Sequence, residues 1–201
     1  MFALCIIAFL CLLPVNYSAP AACENLVRPL DHLDFHHLKG RWALVAGAMR
    51  DNSYLEKFKT RDSASVSFGN TSENSTVSFQ RVIGFSGSCQ YTQSNITLKA
   101  SGFSFNDINM AVTILNMSCP DCLLMSFKNE SNDVLRLYLF SRRRAVDQKE
   151  MEEFRAQAEC LNMLEPSAVD PTKELCPEKI SDTADTDTAA QTEVKTEGQN
   201  A

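Results

Sequence analysis

The sequence predicts an all-β domain in which antiparallel strands follow one another as a meander, closed into an up-and-down barrel or folded into a sandwich. Three observations favour this fold class: strand-like runs recur at intervals of about ten residues, polar turns separate them, and a single amphipathic segment follows the last run. The stretch Leu38–Ala48 opens the series, and further runs occupy residues 63–69, 75–85, 89–99, 109–117, 122–128 and 134–141.

The opening strand carries the only tryptophan of the chain, Trp42. Gly40 permits a tight turn that a side chain would obstruct. In an extended chain Trp42, Leu44, Ala46 and Ala48 fall on one side, so that one large ring is followed by smaller residues. This pattern is typical of a strand whose tryptophan closes the end of a hollow structure, and an ordinary sandwich strand with a buried tryptophan fits it equally well.

Alternation along the later runs assigns side chains to the two faces of the sheet. A glycan on Asn95 must point to solvent, which places Ile96 and Leu98 inside. Two further sets are each predicted to share a face: Leu123, Met125 and Phe127 in one run, and Arg136, Tyr138 and Phe140 in the last. Leucines occupy the opposite face of the last run, so an element outside the sheet is expected to cover them.

A single helix is predicted after the last strand. Asp147 and Glu150 have the spacing of a capping box, in which the side chain of each residue accepts a hydrogen bond from the backbone N–H of the other. Apolar residues then recur at steps of three and four, at Met151, Phe154, Ala158 and Leu161. This amphipathic helix is expected to pack on the outside of the sheet.

The two ends of the chain differ in composition from the body. Residues 1–21 read as a signal peptide with an apolar core too short to span a bilayer, and cleavage is expected between Ser18 and Ala22. Residues 178–201 are acidic, carry most of the net charge of −6 and lack large apolar side chains, so this tail is predicted to be disordered. The domain between them, residues 22–177, is nearly neutral, which argues against nucleic-acid binding.

Cysteines and sequons both indicate export. Removing the leader leaves an even number of cysteines, which in an exported chain argues for a disulfide framework. Five Asn-x-Ser/Thr sequons are potential glycan sites, at Asn70, Asn74, Asn95, Asn116 and Asn129. We therefore expect a secreted plasma glycoprotein, monomeric and without stable membrane insertion.

Three histidines lie close together at His32, His36 and His37. A metal site is one interpretation, but neither a cysteine nor clustered carboxylates complete a ligand set there. A short turn capped by Asp31, with the imidazoles in solvent, is the favoured interpretation. We predict neither a metal nor a cofactor.

The chain resembles the lipocalin family in four features taken together. These are a Gly-x-Trp strand, a strand meander, an arginine at the end of the last strand and one C-terminal helix. The resemblance is firmest in Cys23–Val27, Leu38–Lys57 and Glu152–Leu161. These segments look like the α1-acid glycoprotein group, with apolipoprotein M more distant, and fish plasma members that bind saxitoxin, tetrodotoxin or tributyltin are similar in plan. The resemblance implies an eight-stranded antiparallel up-and-down β-barrel with the C-terminal helix packed outside.

The same resemblance implies structural roles for particular residues. Gly40, Trp42 and Arg142 would form the barrel floor, with the Arg142 guanidinium stacked over the indole ring. It also implies three disulfide bonds, which pair Cys23 with Cys160, Cys89 with Cys176, and Cys119 with Cys122.

The favoured function is noncovalent carriage of a small lipophilic or amphipathic ligand, such as a lipid, steroid, drug or toxin, inside the barrel. Strand parity and the position of the family's pocket nominate the lining residues Ala46, Phe79, Arg81, Leu98, Met125, Phe127, Tyr138 and Phe140. Apolar rings would desolvate the ligand, while Arg81 and Tyr138 would supply polar contacts.

Three alternative functions compete with this interpretation. The Cys119–Cys122 segment has the spacing of a thiol-disulfide oxidoreductase, but that chemistry needs the first cysteine at a helix N-terminus, and a strand-like run follows here. A lipocalin-type prostaglandin isomerase needs an unpaired cysteine, and none remains if all six are paired. An acute-phase or immunomodulatory glycoprotein without an essential ligand stays open.

Overall fold

The computed structural model describes residues 19–69, 76–105 and 108–178. The helices in these ranges are α1 (Ala19–Leu26), α2 (Phe35–Leu38), α3 (Asn52–Lys59) and α4 (Gln148–Cys160). The strands are β1 (Gly40–Met49), β2 (Ser63–Phe68), β3 (Thr76–Phe85), β4 (Ser88–Lys99), β5 (Gly102–Phe105), β6 (Ala111–Leu115), β7 (Cys122–Lys128), β8 (Val134–Ser141) and β9 (Ser167–Ala168).

Strands β1 to β8 form a closed antiparallel barrel. Each strand pairs with its sequence neighbour, and β1 pairs with both β8 and β2, which closes the sheet. The short β9 adds to β1 from outside. The predicted eight-stranded up-and-down barrel is therefore confirmed.

One strand of the barrel did not stand out in the sequence. Strand β5 has only four residues, Gly-Phe-Ser-Phe, and it pairs with β4 and β6. Gly102 lies against the backbone carbonyl of Val112, too close to leave room for a Cβ atom. A run this short, opened by a glycine, lacks enough alternation to be recognised as a strand.

A bulge in β1 changes which side chains face inward. Leu44 pairs with Phe140 and Ala46 with Leu139, so Val45 is an extra residue in the ladder. An extra residue reverses the side-chain alternation beyond it. The prediction that Ala46 and Ala48 share the inner side of the strand with Trp42 is therefore wrong.

Beyond the bulge, Gly47 and Met49 take the inward positions. Met49 belongs to the inner core, whereas Val45, Ala46 and Ala48 belong to the cluster outside the barrel. The inner side of the upper β1 strand thus presents a glycine at the level of the cavity.

Trp42 and Arg142 meet at the closed end of the barrel. The indole is completely buried and donates its Nε1–H to the carbonyl of Leu38 at 2.8 Å. The guanidinium carbon of Arg142 lies 3.7 Å from the ring centroid, and its N–H groups donate to the carbonyls of His37, Lys39 and Arg41. This is the floor arrangement that the resemblance implies.

Helix α4 packs on the outside of the sheet. Phe154 and Ala158 contact the outer cluster, which contains Leu137 and Leu139 of β8. Asp147 accepts a hydrogen bond from the Glu150 N–H, and Glu150 accepts one from the Asp147 N–H, as expected for a capping box. The leucine face of the last strand is covered as predicted.

The structure contains the three disulfide bonds that the resemblance implies, Cys23–Cys160, Cys89–Cys176 and Cys119–Cys122. The first ties α1 to the end of α4. The second fixes the C-terminal segment to the β3–β4 hairpin, where Arg41 donates to the Cys176 carbonyl.

The predicted leader and tail lie largely outside the described residues, so the boundaries at residues 21 and 178 stay predictions. Asn70 and Asn74 also lie outside them. Within the described part of the chain, no helix is long and apolar enough to cross a bilayer.

Candidate ligand-binding cavity

Two adjoining spaces lie in the barrel, an inner chamber of about 40 Å³ and, beside the β5–β6 connection, a mouth of about 150 Å³. The two spaces share the lining residues Phe79, Arg81, Phe105, Phe127 and Arg136. Eight further residues line the inner chamber, namely Leu44, Arg61, Ala64, Ser65, Val66, Ile83, Tyr138 and Phe140. Thr92, Ser94, Ile108 and Met110 complete the mouth.

Three arginines line this apolar cavity, and none of the described residues that line it is acidic. Arg61 enters from the segment after α3, Arg81 from β3 and Arg136 from β8. Among the described residues none of the three forms an ion pair with a carboxylate. The described lining of the cavity therefore carries a net positive charge, and aromatic rings form much of its wall.

Aromatic rings hold two of these guanidinium groups in place. The Arg61 guanidinium carbon lies 5.2 Å from the Phe58 ring centroid and 5.7 Å from that of Tyr138. The Arg136 guanidinium carbon lies 5.1 Å from the Phe127 centroid and 6.0 Å from that of Tyr138. Such contacts orient a cation but do not neutralise it.

The hydrogen bonds of Arg61 and Arg136 are incomplete. Arg61 reaches the Tyr138 hydroxyl only at 3.5 Å, and an Arg136 N–H points to the Met110 sulfur at 3.3 Å. The Nε–H groups of Arg61 and Arg136 are buried without an acceptor in the described structure. Buried donors without acceptors are costly, and a ligand oxygen would satisfy them.

Arg81 lies close to two other positively charged side chains, Arg136 and Arg61. Burial, and then the neighbouring charges of Arg136 and Arg61, lower the pKa of Arg81. Arginine nonetheless stays protonated at neutral pH. The three guanidinium groups therefore repel one another, and a negative charge placed between them would relieve that repulsion.

Five of the eight nominated lining residues border the cavity: Phe79, Arg81, Phe127, Tyr138 and Phe140. Leu98 and Met125 face inward but pack in the core rather than along the cavity wall. Ala46 lies on the outer side of the barrel because of the β1 bulge.

Arg61 and Arg136 were not among the predicted lining residues, and they differ in whether the sequence contains a signal for them. Arg136 shares the inner face with Tyr138 and Phe140, so strand parity alone could have nominated it. Arg61 lies in a connection between α3 and β2, where no alternation applies. Only the tertiary structure brings it into the barrel.

Helix α3 carries Phe58 into the upper barrel. Its ring stacks on Tyr138 with centroids 5.8 Å apart. A Cβ atom built on Gly47 would lie 2.5 Å from Phe58 Cε2 and 3.0 Å from Tyr138 Cδ1. The glycine that the bulge turns inward thus makes room for the Phe58 ring, which packs against Tyr138 of the cavity wall.

One cluster of potential metal ligands is present in the described structure, formed by Cys119, Asp121, Cys122 and Glu150. Its two sulfurs are joined in a disulfide bond, and Arg143 binds both carboxylates. Hydrogen bonds to Glu150 and then to Asp121 raise the pKa of Arg143. The arginine occupies the place that a cation would take, so this cluster serves as an ion-pair network.

A closed eight-stranded barrel with a tryptophan–arginine floor, an outer C-terminal helix and an internal cavity defines the protein as a lipocalin, a class of small-ligand carriers. Among solved structures it is similar to that reported as "The Siderocalin Ex-FABP functions through dual ligand specificities". The TM-score is 0.60 at 14% identity, covering 72% of this chain and 97% of that one. This likeness shows the fold.

Residues 27–179 match the family model of the ApoM domain, so the chain belongs to that lipocalin family. No curated protein sequence matches the chain. The family consists of ligand-binding carriers rather than enzymes, which bears out the carrier interpretation over an oxidoreductase or isomerase. The likeness to toxin-binding fish proteins stays a prediction.

Proposed function

We propose that this protein is a secreted carrier that binds one small amphipathic molecule in the barrel, and that the polar end of this molecule is anionic. The observation that carries the proposal is the set of three arginines, Arg61, Arg81 and Arg136, in an aromatic cavity whose described lining includes no acid.

A cationic ligand would add to the repulsion already present among the guanidinium groups. A neutral apolar ligand would leave the buried Nε–H groups of Arg61 and Arg136 without acceptors. A carboxylate, sulfonate or phosphate supplies both negative charge and several acceptor oxygens. The electrostatics therefore favour an anion over guanidinium toxins or amine drugs.

Secretion and glycosylation are part of the proposal. The leader-like apolar run, the three disulfide bonds and the sequons support it. Asn95 is exposed on β4 and offers an accessible site, whereas the Asn116 amide donates to the Pro29 carbonyl at 3.2 Å. Peptide mapping after expression in a eukaryotic secretory host would report occupancy, and a mature chain lacking glycans would refute this part.

The anion proposal is tested by titrating the purified protein with anilinonaphthalene sulfonate, an apolar fluorophore that carries one negative charge. We expect saturable binding of one probe per chain. Replacing Arg81 or Arg136 by Gln should weaken binding by about tenfold each, which corresponds to roughly 1.4 kcal/mol for one charged hydrogen bond.

Arg50→Gln is the matched control. Arg50 is an exposed arginine at the end of β1, 4.0 Å from Asp133 and outside the cavity lining. Its replacement should leave probe affinity unchanged. Absence of saturable binding, or equal losses in all three variants, would refute the proposal.

A further inference from the structure

We propose that four phenylalanines limit the length of the ligand, so that the barrel takes a compact anion with a ring body and excludes a long acyl chain. This inference rests on the proposed function, since it concerns the same cavity. The four side chains, hereafter the phenylalanine plug, are Phe68, Phe79, Phe103 and Phe105.

The rings of the phenylalanine plug contact one another across three strands. Phe79 lies 5.2 Å from Phe68, 5.6 Å from Phe103 and 5.5 Å from Phe105, measured between ring centroids. Phe103 also lies 5.9 Å from Phe68 and 5.6 Å from Phe105. Tilted and edge-to-face pairs of this kind stabilise a fixed packing.

The plug fills the side of the barrel that is formed by β2, β3 and β5. Phe68 pairs with Gly40 beside the floor, and Phe68 and Phe103 are at most 1% exposed. Phe79 and Phe105 line both the inner chamber and the mouth, whereas Phe68 and Phe103, packed against them, line neither. A ligand that enters from the mouth therefore contacts these rings, and the space behind them is filled by Phe68 and Phe103.

The remaining space is small. The inner chamber holds about 40 Å³ and the mouth about 150 Å³. Sites for drug-sized molecules typically have volumes of about 300–1,000 Å³. A long acyl chain therefore cannot be buried along its length without displacing the plug.

The surroundings of the arginines favour a ring over a short flexible chain. Phe127 and Tyr138 lie edge to face with centroids 5.2 Å apart, and Tyr138 and Phe140 do so at 6.2 Å. A flat ligand can contact these rings while its anionic group reaches Arg81 or Arg136. A rigid body also loses little conformational entropy when it binds.

The experiment compares three carboxylates as competitors of bound anilinonaphthalene sulfonate. Naphthoate has a compact ring body, palmitate has a long chain, and octanoate has a short flexible chain. All three carry the same charged group, so differences in affinity report the shape of the body. We expect naphthoate to bind at least about tenfold more tightly than palmitate or octanoate, although palmitate is the most apolar.

Variants of the phenylalanine plug test its role directly. Phe105→Ala removes a half-buried ring, and Phe103→Leu opens the buried part while keeping an apolar side chain. Each should strengthen palmitate binding relative to naphthoate by about tenfold. Phe85→Ala is the control, because Phe85 is also half-buried, on β3, but contacts none of the plug rings and does not line the cavity.

The possible outcomes separate this inference from the proposed function. If the fluorophore does not bind, the proposed function and the length limit are both refuted. If it binds and palmitate displaces it as readily as naphthoate does, the length limit is wrong while anion binding stands. If the two plug variants, folded by thermal melting, leave the palmitate to naphthoate ratio unchanged, the plug does not set the selectivity.

Discussion

Gly47→Ala is expected to destabilise the domain by forcing the Phe58 ring away from β1. The added Cβ atom would lie 2.5 Å from Phe58 Cε2 and 2.8 Å from its Cζ. Because these are the far end of a side chain, the ring can move, but it must give up its stacking on Tyr138. Overpacking of this kind costs about 2 kcal/mol, which lowers Tm by roughly 4–8 °C in a domain of this size.

A double-mutant cycle separates this contact from a general effect of alanine in the strand. Phe58→Leu removes the ring atoms that the new Cβ atom would meet. In that background Gly47→Ala should cost less than about 0.5 kcal/mol, so the two free-energy changes should not add. Thermal unfolding monitored by circular dichroism provides the four Tm values.

Gly69→Ala is the matched glycine control, because a Cβ atom there would meet nothing nearer than 3.5 Å. Its Tm should change little. Equal destabilisation by Gly47→Ala with and without the Phe58 ring would refute the proposed contact, and so would a Gly47→Ala variant as stable as the parent protein.

Three further predictions concern the framework. Arg142→Met removes a cation over the indole and three hydrogen bonds to carbonyls. It should lower the free energy of unfolding by about 1–3 kcal/mol and change the fluorescence emission of Trp42, the only tryptophan. Unaltered emission would contradict the floor assignment. Replacing Cys23 and Cys160 together by Ala removes a link across 137 residues and should cost about 5 kcal/mol in denaturant unfolding, and a loss below 1 kcal/mol would contradict the loop-closure argument. Asp147→Ala removes the α4 cap and should cost about 1 kcal/mol, whereas Asp147→Asn should retain most of the stability.

Much of the fold could be predicted because its long strands alternate regularly. The run 122–128 coincides with β7 and the run 134–141 with β8, and the inner and outer faces of β8 are as expected. The capping box and apolar spacing also located α4. In these segments local pattern and tertiary packing agree, which is the condition under which sequence reasoning succeeds.

The bulge in β1 marks where that reasoning fails. Nothing in the letters Ala43–Ala48 distinguishes a regular strand from one with an extra residue, because every residue in the run is small or apolar. The bulge is fixed by pairing with β8, a contact between residues about a hundred positions apart. Because the predicted alternation ignores the extra residue, it places Ala46 on the inner side, whereas Ala46 lies on the outer side.

The cavity was only partly predictable for a related reason. Parity placed Phe79, Arg81, Phe127, Tyr138 and Phe140 correctly on the inner face, but which inward residues border open space depends on how the others fill the barrel. Leu98 and Met125 are inward yet covered by packing. Arg61 reaches the cavity from a connection, where no periodicity applies.

The most direct test of anionic carriage is native mass spectrometry of the full-length protein secreted by eukaryotic cells, with the bound fraction released and identified. We expect one co-purifying small acid per chain, which is lost when Arg81 and Arg136 are both replaced by Gln and is retained when Arg50 is replaced by Gln. A chain that carries no ligand after exposure to serum extract, or one that carries an amine or guanidinium compound, would contradict it.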